Sequence, residues 1–158
     1  MHRHPPQWTW GALLAGLLLV AGCGASYEDP AVDPEENRLL GTSWQLTLVK
    51  LADGRRLPPA DPADYTLTFV ENRRFLVTVD GDQCVGHYRS GGRAIAVRLD
   101  CPLATTLGPG SIGGAFLSLL SSATHFIMTG SKDELHLESG AAGGTLSFRR
   151  IDASRAAR

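Results

Sequence analysis

Tyr65-Thr66-Leu67-Thr68-Phe69-Val70-Glu71-Asn72-Arg73-Arg74-Phe75-Leu76-Val77-Thr78-Val79 is written in period two on both sides of a turn. Tyr65, Leu67 and Phe69 share one side of an extended chain, and Thr66, Thr68 and Val70 share the other. Glu71-Asn72-Arg73 supplies polar turn residues, and Phe75, Val77 and Val79 then resume the apolar side. Two strands joined by so short a connection must pair antiparallel.

The same rhythm extends in both directions. Trp44, Leu46 and Leu48 alternate with Gln45, Thr47 and Val49; further sets are Ile95, Val97 and Leu99, then Leu135 and Leu137, then Leu146 and Phe148. Asp53-Gly54, Ser90-Gly91-Gly92, Gly130-Ser131-Lys132-Asp133 and Ser139 to Gly144 carry turn chemistry between them. One stretch departs from it. Ser111 to Ala123 sets Ile112, Phe116, Leu119, Leu120 and Ala123 at helical spacing, with Ser111 as cap, although Gly113 and Gly114 each cost a helix about 1 kcal/mol relative to alanine. The fold class that follows is α+β: a strongly curved, barrel-like antiparallel sheet packed with one α-helix.

Upstream lies a different kind of sequence. The apolar run from Gly11 to Ala21 is too short to span a bilayer, follows Arg3, and ends in Val20-Ala21-Gly22-Cys23. Small residues just before a cysteine make a lipoprotein signal, in which the thiol is diacylglycerylated and cleavage leaves Cys23 as the new N-terminus. An uncleaved anchor or a fortuitous cysteine is the plainer alternative. Residues 1–22 are thus a signal peptide, and 23–38, acidic and proline-bearing, a flexible tether. Residues 39–151 form the folded unit, and 152–158 a disordered tail. Gly24 at the position after the cysteine favours the outer membrane where the host has one, with the domain facing the periplasm or exterior.

With Cys23 taken by lipid, Cys84 and Cys101 remain in an oxidising compartment, where an even number favours a disulfide. Closing so short a loop is worth about 3 kcal/mol in the chain-entropy model. Two buried free thiols, or half of a metal site, are the alternatives.

The order of these pieces resembles the META domain, the HslJ-like family of bacterial envelope proteins. The resemblance rests on Leu40-Gly41-Thr42-Ser43-Trp44-Gln45-Leu46, the strand through Cys84-Val85-Gly86-His87-Tyr88, and the Cys101-Pro102 step. Phe116-Leu117-x-x-Leu120 and Leu146-x-Phe148-x-Arg150 complete it. Asp82-Gln83-Cys84 stands where the family has Gly-Cys-Asn. The resemblance implies a stress-associated, extracytoplasmic accessory module without catalytic chemistry.

Other constellations are weaker. Gly108-x-Gly110-x-x-Gly113 spells a dinucleotide fingerprint but lacks the preceding strand of a parallel βαβ unit, and reads as a loop. Cys84, His87, Cys101, His125 and His136 are zinc-ligand types without closed spacing, so no metal and no cofactor is expected. Asp80-Gly81-Asp82 lacks the further carboxylates of a calcium loop. Ser111 sits in no nucleophile elbow, and no catalytic residue is identified. Arg55-Arg56, Arg73-Arg74 and Lys132 could meet acidic lipid or polymer but read as solvated turns; Trp44 and Tyr88 could line a ligand mouth but read as core. A formal net charge of −1 with scattered cations excludes a nucleic-acid footprint. The expected protein is a monomeric, non-catalytic, membrane-anchored module with an envelope-protein or small-molecule partner. The alternative is a lipocalin-like ligand carrier or small protease inhibitor, a fold that also opens with Gly-x-x-Trp, here Gly41 to Trp44.

Overall fold

A computed structural model describes residues 36–101, 107–108, 110–140 and 143–152, all within the compact unit Val32–Arg158. The signal peptide, Cys23, most of the tether, Pro102 and residues 153–158 lie outside the described residues.

A helical turn α1 (Glu36–Leu39) leads into β1 (Ser43–Lys50), followed by the short β2 (Arg56–Leu57). Then come β3 (Tyr65–Val70), β4 (Arg74–Val79), β5 (Asp82–Gly91), β6 (Ala94–Asp100), helix α2 (Gly113–Ser121), β7 (Ala123–Thr129), β8 (Glu134–Ser139) and β9 (Thr145–Ile151). From β3 onward each strand pairs antiparallel with the next in sequence, and β9 returns to β1, so β1 and β3 to β9 close an up-and-down barrel. β2 is a spur on β1. Closure removes the exposed edges that an open sheet of this length would carry.

The barrel interior is filled with side chains. Trp44, Phe75, Phe116 and Phe148 are the largest fully buried groups, and Leu46, Leu67, Leu135 and Leu146 pack among them. The two ends are closed differently. Where β1 begins, Gly41 (φ 72°) ends α1 in a left-handed turn, and the Thr42 hydroxyl donates to the Leu39 carbonyl while accepting from Trp44 Nε1 at 2.7 Å. The opening motif is therefore a plug in which the Thr42, Ser43 and Trp44 side-chain polar atoms are paired. At the other end α2 packs against β6, β8 and β9, inserting Phe116 edge-on to Tyr65 and Phe148.

Several expectations are corrected. Leu48 and Val49 exchange roles: a bulge between Leu46 and Leu48 in the β1–β9 ladder inserts one residue, so Val49 is buried and Leu48 only partly so. The helix is Gly113–Ser121, shorter than Ser111 to Ala123, and Ala123 instead begins β7, which the apolar pattern does not announce. A second bulge, between Ala123 and His125, breaks the alternation there. The turn between β5 and β6 is Gly92-Arg93, displaced from Ser90-Gly91-Gly92 because Gly91 still pairs with Ala94.

Gly86 shows why β5 reads as it does. It faces the core between Cys84 and Tyr88, and the Phe75 ring lies on its α-carbon; a Cβ there would sit 2.2 Å from the ring's Cζ. Gly86→Ala must displace the Phe75 ring, which packs with the rings of Phe69 and Tyr88 at centroid distances of 5.7 and 6.3 Å. The expected loss is about 1–3 kcal/mol, the usual range for overpacking. Urea unfolding of the variant checks it, and an unchanged midpoint would show that the ring moves without resistance.

Candidate functional site

The structure joins Cys84 to Cys101, with α-carbons 5.1 Å apart. Cys84 points into the core and Cys101 follows β6 directly, so the bond staples β5 to the end of its neighbour at the α2 end of the barrel. The thiolates of the zinc reading are thereby consumed, and the histidines are dispersed. His87 faces outward beside Asp100, His125 meets the Thr124 hydroxyl, and His136 meets the Ser147 hydroxyl. Among the described residues no three His, Cys, Asp or Glu side chains gather as metal ligands would.

A polar cluster closes the α2 end. Asp80-Gly81 is the two-residue β4–β5 hairpin turn, with φ of 51° and 85°, which settles the role of Asp80-Gly81-Asp82 as turn chemistry. The Asp80 carboxylate accepts from the Tyr65 phenol and from the Ser111 hydroxyl, and Ser111 Oγ accepts from the Gly113 N–H at 2.8 Å. Burial, then the Asp80 hydrogen bond, raises the Tyr65 pKa above its ordinary value, so the phenol stays protonated. Ser111 does cap α2, but from one residue outside the formal cap position, Ile112. Its proton goes to Asp80 and one of its lone pairs takes the Gly113 N–H, which makes the cluster a clamp for the helix start. Gly113 belongs to the same clamp: a Cβ there would sit 2.7 Å from Leu107 and 2.9 Å from Val79. The fingerprint glycines thus start a helix between antiparallel strands, without a parallel βαβ unit.

The solvent side of the barrel carries a cleft of about 630 Å³ between the β3–β4 turn and the outer faces of β5 and β6. Asn72, Arg73, His87, Arg89, Arg98 and Asp100 line it. Strand register assembles it: Arg74 on β4 lies opposite His87 on β5, and His87 lies opposite Arg98 on β6. Arg89 lies opposite Ala96, whose small side chain leaves the floor low. Asp100 belongs to this lining, with Oδ2 at 3.7 Å from His87 Nε2 and Oδ1 at 4.0 Å from Arg98 Nε. Arg73-Arg74 was expected as a solvated turn; it is exposed, and Arg73 also forms one wall of this cleft. Arg89 and Arg98 escape a reading that follows the apolar face, although their outward parity on β5 and β6 was the available signal. Arg55 instead bonds Asp53, and Trp44 and Tyr88 are core residues.

No protein-family model matches the chain, nor does any curated protein. Solved structures do. The chain is similar to a protein from Burkholderia xenovorans solved by NMR, at 27% identity over 73% of this chain and 85% of that one, with a TM-score of 0.54. It is also similar to a DUF4847 family protein from Bacteroides vulgatus, at 12% identity over 75% and 98% of the two chains, with a TM-score of 0.55. A lipocalin-like protein from Bacteroides uniformis follows at 22% identity over 72% and 99%, with a TM-score of 0.48. What the chain shares with the first two is the barrel fold.

Proposed function

We propose that this chain is a lipid-anchored, non-catalytic binding module of the bacterial cell envelope, of META type, whose working surface is the outside of the barrel. The observation that carries the reading is the filled interior. Trp44, Phe75, Phe116 and Phe148 occupy the space that a carrier of apolar ligands would keep open. The closed up-and-down topology is shared with small ligand carriers, which favours the carrier alternative. The packed aromatic core weighs against it. The Cys84–Cys101 bond supports an extracytoplasmic address, since such bonds persist in oxidising compartments. The Val20-Ala21-Gly22-Cys23 segment supports the anchor.

The test is localisation. Cys23→Ala should move the protein from the membrane pellet to the soluble fraction, because the diacyl group supplies the firm attachment. Sedimentation of the variant with membranes after a carbonate wash would refute the anchor.

A further inference from the structure

We infer that the cleft between the Asn72-Arg73 turn and the outer faces of β5 and β6 binds a phosphate-type oxyanion, a phosphomonoester or pyrophosphate group, through Arg73, Arg89 and Arg98. The inference deepens the reading of the outer wall as the working surface and rests on it.

Three observations converge. The first is the register. Arg74, His87 and Arg98 stand abreast on three adjacent strands, with Arg89 on the same face two residues from His87. A wall built only for solubility would alternate sign, as this barrel does where Glu134 faces Arg149. This face therefore gathers guanidinium donors that a bound anion would engage.

The second is the loose pairing of Arg98 with Asp100. Asp100 meets Arg98 only at Nε and at 4.0 Å, beyond hydrogen-bond distance. It steadies His87 and Arg98 from one side of the cleft. A guanidinium offers five donors in a planar fork that matches phosphate oxygens two at a time.

The third is shape. A volume of about 630 Å³ falls in the range of small-ligand sites. Arg73, Arg89 and Arg98 stand around it, Ala96 and Val97 also line it, and it opens to solvent, which gives an anionic head group access to the guanidinium donors. Arg73 holds its place on the rim at φ 56°, a left-handed backbone position where glycine or asparagine is the usual choice.

The same group could come from a soluble phosphate compound or from a lipid head group, and two arms separate these sources. In the first, the full chain is titrated calorimetrically with pyrophosphate at low salt. Saturable binding is expected, weakened about tenfold or more in the Arg89→Gln/Arg98→Gln double variant, the effect of losing charge-assisted hydrogen bonds. Arg56→Gln on β2 should bind as the parent does. In the second, the Cys23→Ala chain, which carries no anchor, is sedimented with phosphatidylcholine vesicles with and without phosphatidic acid. Acid-dependent sedimentation that the double variant loses assigns the group to lipid; pyrophosphate binding without it assigns the group to a soluble compound. Because Arg89 and Arg98 are exposed, the double variant should keep the parent's urea midpoint. The inference is overturned if the parent chain binds neither pyrophosphate nor phosphatidic acid, or if the double variant binds as tightly as the parent. Either result, with attachment through Cys23 intact, would leave the anchored-module reading standing.

Discussion

Trp44→Ala is expected to remove about 3–5 kcal/mol of stability, the range for deleting a large buried aromatic. A domain of this size has in total about 5–15 kcal/mol, so the loss is a substantial fraction of the whole. The effect has three parts of unequal size. Loss of the indole from a fully buried position is the largest. The Thr42 hydroxyl also loses the donor at 2.7 Å that helps fasten α1 over the barrel end. The Arg150 guanidinium, 5.8 Å from the ring centroid, loses its aromatic face. An exposed cation–π pair is worth only about 0.5–1 kcal/mol, so Arg150→Ala should be mild where Trp44→Ala is severe. Urea unfolding followed by circular dichroism compares the two variants. Equal midpoints would show that the barrel end is held by its rim and that the plug is dispensable.

Loss of the Cys84–Cys101 bond ranks second. Its sequence separation of 17 corresponds to about 3 kcal/mol of unfolded-state entropy. The Cys84→Ala/Cys101→Ala chain, or the parent under reductant, should unfold at clearly lower urea concentration. At about 2–8 °C per kcal/mol, the melting temperature should fall by roughly 6–24 °C. Cys84 is nearly fully buried, so alanine also removes some packing, and reductant isolates the crosslink from that effect. A parent melting curve indifferent to reductant would mean that the staple constrains nothing the barrel does not already constrain.

The legible part of this fold came from side-chain parity. Tyr65 to Val79 specified a hairpin because large apolar and small polar residues alternate without interruption on both sides of its turn. β1 and β7 were harder for one shared reason. A bulge adds a residue to one strand only, so the apolar phase shifts at Thr47 and is broken at Thr124, and no local residue type marks the shift. Gly86 carried its own explanation only once Phe75 was seen lying on it. Asp80 and Ser111, distant in sequence, gained their clamp role from the position of Tyr65.

The chain's own order of residues determined the antiparallel sheet, the single helix and the pairing tendency of Cys84 with Cys101, because periodicity and cysteine parity are local or countable properties. Tertiary structure decided that β9 returns to β1, that the interior is filled, and that Arg73, Arg89 and Arg98 share a cleft. Closure and cross-strand register depend on which backbone edges meet, and that is set by the packing of the whole barrel.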